Sequence, residues 1–370
     1  MKKLLLCSLA LVMIVLAIAG CGKSTSSSSA TTKELTFNGE TYTVPKDPQR
    51  IAVLSNSVLS MLYAVDGKAI SRASTTDKLA PELEALPALG QTANINMEQL
   101  LGLKPDVVLG LENQHKKYES QLQSNNIPAV LFNYDGIKDN VPMLTFLGEL
   151  TNHQDKAKSV IATYESNIQK VKDAIKNQQP ARIAVLRATG KGVTAETDEA
   201  VTASMVKELG MTNVVTSHLD GTTKDKTVPY SLETLTADNP DIIFVVTMGK
   251  EEEITKAMKQ AMTDNPAWAN LKAVQNNRVI YLPSKLFLLN PGLQTPEAMA
   301  RLVKEAYGID AVSYTHLDVY KRQAVAVTYP TFCSFCCIMQ LAGTIPTVSY
   351  TAPSKSWILS HKYMRPPHSA

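Results

Sequence analysis

At 370 residues the chain has room for two domains and a linker, and 44% hydrophobic with 19% charged residues is the make-up of a folded globular protein, not a disordered one. A net charge of +3 with no basic run excludes the electrostatic footprint of a nucleic-acid binder. None of the five cysteines falls between Cys21 and Cys333, so a core drawn from that interval owes nothing to disulfides.

Residues 1–20 carry Lys2 and Lys3, an apolar run from Leu4 to Ala19, and Gly20 before Cys21, the pattern of a secretory signal peptide. The run is short for a membrane span. Ile18-Ala19-Gly20-Cys21 resembles a bacterial lipobox, which implies that Cys21 is lipidated and anchors the chain on the extracytoplasmic face of the membrane. Residues 21–33, Ser-rich from Ser24 to Ser29, then form a flexible tether.

The first lobe is expected over 34–152. It opens on alternating residues around Asn38-Gly39, a hairpin signal. Strands are expected at Ile51–Leu54, Ala69–Ala73, Val107–Leu109 and Ala129–Phe132. In 153–178 the apolar residues Ala157, Val160, Ile161, Tyr164, Ile168, Val171 and Ile175 recur at three and four, with no Gly or Pro from His153 to Asn177. That is one amphipathic helix on the order of 35 Å long, stiff enough to limit hinging.

The second lobe is expected over 179–309. Strands fall at Ile183–Leu186, Val193–Ala195, Ile242–Val246 and Val279–Leu282, and helices at Ala200–Leu209, Glu251–Met262 and Pro296–Tyr307. This lobe repeats the first. Arg50-Ile51-Ala52-Val53-Leu54 returns as Arg182-Ile183-Ala184-Val185-Leu186. Asn96-Met97-Glu98 with Pro105-Asp106 returns as Ser231-Leu232-Glu233 with Pro240-Asp241, and the Glu-to-Pro spacing is seven in both copies. Asn96 and Ser231 are helix N-cap candidates, the glutamates fall in a first turn where their charge suits the helix dipole, and an apolar strand follows each Pro-Asp. The expected fold class is therefore α/β, with two doubly wound αβ lobes, central mostly parallel sheets and one long joining helix.

Beyond Ile309 the periodicity stops, and 310–370 reads as an irregular tail. Val312 to Gln323 resembles adapter sequence translated in metagenomic assemblies, which makes the tail foreign to the gene; an irregular native extension is the other reading. Cys333, Cys336 and Cys337 have no second ligand cluster at zinc spacing.

Taken in order, Pro48 to Leu54, Leu89-Gly90, the two Glu and Pro-Asp motifs, Leu147-Gly148-Glu149-Leu150-Thr151, Asn265-Pro266-Ala267-Trp268 and Ala273 to Val279 resemble the substrate-binding proteins of ABC importers for ferric siderophores, haem and cobalamin. The resemblance implies a monomer with ligand in a cleft between lobes that move little, no cofactor of its own, and a partner made of a permease dimer with a cytoplasmic ATPase. It also implies that Glu98 and Glu233 meet arginines on the two permease halves; both residues would otherwise be no more than favourable first-turn carboxylates.

Ligands of doubly wound sheets meet the loops beyond the C-terminal strand ends. The candidates there are Ser55, Asn56, Glu112, His115 and Tyr134 in the first lobe. In the second they are Arg187, Tyr230, Met248, Lys250, Lys285 and Phe287. Arg187, Lys250 and Lys285 give the cleft a positive side suited to siderophore carboxylates or haem propionates. Phe244 to Tyr281 resembles haem-binding lipoproteins of Gram-positive bacteria, in which a His in the strand-tip loop ligates iron. Here Met248 holds that place, and the companion Met after Gly90 is replaced at or near Ala93. His115 is a substitute haem ligand on the opposite lobe, against a plain helix start; Met248 could equally be a packing residue. The transported ligand is expected to be an iron chelate or haem, with a corrinoid such as cobalamin as the alternative. The two-lobed pattern also resembles metallocluster and chelatase-like enzymes, which use Cys ligands or a catalytic His; this core has no Cys.

Overall fold

The computed structural model describes residues 31–76, 78–289 and 291–311. The expected signal peptide, Cys21 and the tail from residue 312 lie outside them.

Strands β1 (Thr32–Phe37) and β2 (Glu40–Pro45) form the expected hairpin. Asn38 and Gly39 stand at φ 48° and 87°, the left-handed pair that a two-residue hairpin turn requires. The hairpin buries Phe37 edge-on against Phe132, which meets Phe146 in turn, with centroids 5.0 and 5.3 Å apart.

The first lobe is a three-stranded parallel sheet, β3 (Ile51–Val53), β6 (Val107–Leu111) and β7 (Ala129–Phe132), in that order. Helix α1 (Asn56–Ala64) follows β3, and a small hairpin of β4 (Gly90–Gln91) and β5 (Asn94–Ile95) leads into α2 (Met97–Gly102). The strand expected at Ala69–Ala73 does not form. Ile70 N donates to Ile51 O, but Ser71 puts its own hydroxyl under the Val53 N–H at 3.0 Å, so a side chain interrupts the ladder.

Helix α3 (Asn140–Leu150) closes this lobe and α4 (Gln154–Ile175) leaves it. The 22 residues of α4 span about 33 Å. It buries Ala157, Tyr164, Val171 and Ile175, one stripe of the expected periodicity, against α3 on one side and α8 (Thr295–Tyr307) on the other.

The second lobe has β8 (Arg182–Thr189), β9 (Gly192–Glu196), α5 (Val201–Glu208), β10 (Thr212–Asn213), β11 (Thr227–Val228), α6 (Leu232–Asp238), β12 (Ile242–Met248), α7 (Glu251–Met258) and β13 (Val279–Leu282). The sheet order is β11-β9-β8-β12-β13 with β10 beside the start of β8. Parallel pairing holds for β10, β8, β12 and β13, while β9 and β11 add an antiparallel edge. Helix α7 stops short of the expected Met262, and Lys259–Thr263 continues as a wider π turn.

The lobes share one apolar core that runs from Val53, Val107 and Phe132 to Ile183, Val185 and Phe244. Within it Asn140 Nδ2 donates to the Tyr164 hydroxyl at 2.8 Å and to Thr295 Oγ1 at 2.9 Å, tying α3, α4 and α8 together. Lys226 of the second lobe reaches the Tyr134 carbonyl at 3.0 Å and the Asp135 carboxylate at 3.4 Å. These contacts stiffen the base of the two lobes.

Candidate functional site

The repeat in the sequence is a repeat in space. Asn96 caps α2 by accepting from Gln99 N at 3.0 Å, and Ser231 caps α6 by accepting from Thr234 N at 3.1 Å. Glu98 and Glu233 are therefore the second residue of each helix, and both are exposed. Each helix ends on a left-handed residue before its proline, Lys104 at φ 48° and Asn239 at φ 40°. The strands that follow enter in the same register, Val107 opposite Ile51 and Ile242 opposite Ile183.

At the first lobe's strand ends, Ser55 is buried with its hydroxyl on Ser57 at 2.9 Å, and Asn56 opens α1 with its Oδ1 buried and unpartnered. Glu112 is partly exposed and pairs with Lys116 at 3.4 Å. Tyr134 is 7% exposed; its hydroxyl makes no hydrogen bond of normal geometry, and burial pushes its pKa well above the usual range. In the second lobe Met248 is 53% exposed at the end of β12, with Lys250 and Lys285 exposed in the loops beyond β12 and β13.

Four candidates are placed otherwise than expected. His115 has no exposed surface and spends both ring nitrogens on backbone, Nδ1 on Leu111 N and Nε2 on Thr92 O, each at 2.8 Å. Such a ring offers no lone pair to iron, so the substitute-ligand reading falls. Phe287 is fully buried in the shared core, where Thr202 Oγ1 donates to its carbonyl at 2.5 Å. Tyr230 sends its hydroxyl along α6 to Asp238, which also takes His218, at the end where β8 starts and away from the strand tips.

Arg187 is the fourth. Its Nε and Nη2 both donate to Glu196 Oε1, at 2.9 and 2.7 Å, so the charge meant for a ligand is already matched inside the lobe. Glu196 is fully buried, Oε2 lacks a partner of normal geometry, and burial pushes its pKa up to about 7 against the pull of Arg187 and the Thr202 and Ala203 amides. Sequence reasoning missed Glu196, as it missed Asn140 and Lys226. The only available signal was diagonal pairing across the β8–β9 hairpin, where Arg187 faces Thr194, two residues before Glu196.

Residues 51–286 match the family model described as periplasmic binding protein. The chain belongs to that family. A curated relative, the high-affinity heme uptake system protein IsdE of Staphylococcus aureus, is 26% identical over 281 residues, which cover 75% of this chain and 91% of the relative. Among solved structures, an ABC transporter substrate-binding protein from Listeria monocytogenes aligns at TM-score 0.63 and 23% identity, over 71% of this chain and 100% of that one. Staphylococcus aureus IsdE complexed with heme aligns at TM-score 0.60 and 24% identity, over 70% and 98%. FeuA from Bacillus subtilis, complexed with ferri-bacillibactin, aligns at TM-score 0.61 and 21% identity, over 76% and 100%.

Periplasmic binding proteins of this kind are the substrate-binding components of ABC importers, so the chain is a binding protein and the metallocluster or chelatase-like enzyme reading is set aside. Among the described residues no helix is long and apolar enough to cross a membrane.

Proposed function

We propose that the protein is an extracytoplasmic lipoprotein, anchored at Cys21, that takes a chelated iron compound between lobes of 34–152 and 179–309 and delivers it to an ABC permease. The joining segment 153–178 keeps those lobes in fixed register. The observation that carries the docking half is the twin setting of Glu98 and Glu233. Two capped helices of the same build, each holding out one carboxylate, suit a partner with twofold symmetry.

The ligand half rests on Met248, Lys250 and Lys285 at the second lobe's strand ends. An exposed thioether is a haem-iron ligand in kind, and the two ammonium groups suit propionates or siderophore carboxylates. The relatives' names, one a heme uptake protein and another complexed with a ferric siderophore, support the same class.

Absorption spectroscopy tests this. The purified protein is titrated with haem and with ferric siderophores; a Soret band that Met248→Ala shifts or weakens assigns haem, and siderophore uptake without haem uptake assigns the other. Uptake of neither overturns the ligand class.

A further inference from the structure

Helix α6 has seven residues and buries only Leu232 and Leu235 among them, so it is too short to hold its own direction and takes it from the ties at its ends. Its C-terminal end is well fixed. Asp238 O accepts from Arg182 Nη2 at 2.8 Å, Asn239 Oδ1 accepts from Lys272 N at 3.0 Å, and the Asp238 carboxylate lies 2.7 and 2.9 Å from His218 Nε2. The N-terminal end, which carries Glu233, has the Ser231 cap and Tyr230. The Tyr230 hydroxyl donates to that same Asp238 carboxylate, so one side chain ties the residue ahead of the cap to the last residue of the helix. Burial, with the carboxylate beside it, holds the Tyr230 pKa above its usual range and keeps the hydroxyl a donor.

An acidic side chain at a helix C-terminus opposes the helix dipole, so Asp238 is not there for the helix's own sake. Its side chain is 12% exposed and relies on its two donors, whose rings stand 6.2 Å apart. His218 ends a short 3-10 turn, Val214–His218, that begins at Asn213, and Asn213 Nδ2 donates to the buried Glu196 carbonyl at 3.0 Å. The brace thus runs from α6 into the centre of the second lobe. The first lobe is built differently. Three residues before and five after Glu98 stand Ile95 and Leu103, where Tyr230 and Asp238 flank Glu233. Ile95 and Leu103 pack in the apolar cluster of Ala52, Leu54, Leu89 and Val108.

We propose that Tyr230, Asp238 and His218 are positioning residues for permease docking, which hold α6 and therefore Glu233 in the attitude that a permease arginine needs. The inference rests on the docking reading above and deepens it. A carboxylate engages a guanidinium through two oxygens at fixed spacing, so a tilt of the helix that bears it costs contact without removing charge. The twin glutamates are alike in place but not in support: Glu98 is set by apolar packing and Glu233 by a hydrogen-bonded chain.

The test measures binding of the full chain to its permease dimer in nanodiscs, with dissociation constants for haem and a ferric siderophore as the control. Tyr230→Phe removes one hydroxyl and keeps the ring; His218→Ala breaks the same chain at a half-exposed residue and serves where the first variant folds poorly. Each is expected to weaken permease binding roughly three- to tenfold, the worth of one hydrogen bond, and to leave ligand binding unchanged. Added to Glu98→Ala, Tyr230→Phe is expected to cost its full factor; added to Glu233→Ala it is expected to cost nothing more, because the group it positions is gone. Equal losses on both backgrounds, or no loss in the single variants, overturn the positioning role. A Glu233→Ala variant that binds the permease like the wild type overturns the docking reading and this assignment with it, whereas a weakened Glu233→Ala beside unaffected Tyr230→Phe and His218→Ala overturns this inference alone.

Discussion

Arg50 and Asp106 hold each other reciprocally: Arg50 N donates to Asp106 Oδ2 and Asp106 N donates to Arg50 O, both at 3.0 Å. Arg182 and Asp241 repeat the exchange in the second lobe at 3.2 and 2.8 Å. Each arginine then sends its guanidinium to the end of the preceding helix, Arg50 Nη2 to Leu103 O at 2.6 Å and Arg182 Nη2 to Asp238 O at 2.8 Å. One clasp thus locks helix, strand entry and first strand in both lobes. Asp106→Ala and Asp241→Ala are each expected to cost about 1–2 kcal/mol, since the freed amides are near the surface and water replaces part of the loss. Urea denaturation checks this; a cost in only one lobe would mean the two clasps are alike in form but not in work.

Glu98 and Glu233 contribute little to folding. Their helix-dipole interaction at an exposed first turn is worth about 0.3–0.5 kcal/mol each. The Glu98→Ala, Glu233→Ala double variant is therefore expected to melt within a few degrees of the wild type and to bind ligand as tightly, while transport into cells stops. Uptake at the wild-type rate would remove the docking role.

These two features were legible in the sequence because their chemistry is local. A cap residue, a first-turn glutamate, a helix end and Pro-Asp occupy consecutive positions, and their spacing survives in both copies. The long helix α4 and the strands at Ala129–Phe132 and Val279–Leu282 were legible for the same reason, periodicity within one segment. His115 was not. Its partners, Leu111 N and Thr92 O, are backbone atoms with no residue signature, so a structural histidine looked like an iron ligand. Nor was Arg187, whose partner lies nine residues on and is reached only once the β8–β9 register is known. Ser71 shows the same limit, since a hydroxyl competing with the ladder leaves the apolar pattern of a strand intact.

Lys104 offers a place to add stability. It sits at φ 48° after α2, where an L-residue with a Cβ is strained; its amide donates to Leu101 O at 2.9 Å and its carbonyl accepts from Arg50 Nε at 3.1 Å, backbone bonds that glycine keeps. Glycine relieves the strain, although its extra freedom in the unfolded chain offsets part of the gain. Lys104→Gly is expected to stabilise by roughly 0.5–1 kcal/mol, a rise in melting temperature of a few degrees. A lowered midpoint would show that the lysine side chain makes a contribution larger than the strain.

Glu196 supplies the pH dependence. In the unfolded chain its carboxyl titrates near 4.5, and in the fold burial lifts it to about 7 while the Arg187 guanidinium opposes the lift. Between those values the folded protein keeps a proton that the unfolded chain has released. The contribution to stability is therefore full below the unfolded value and is lost as pH rises through the folded one. Glu196→Gln keeps one acceptor for Arg187 and removes the titration. The stability of wild type minus variant, measured by urea denaturation from about pH 5 to about pH 8, is expected to decline across the window. A flat difference would mean that Arg187, which does not release its proton, holds the carboxylate ionised throughout, so that pairing outweighs burial at this site.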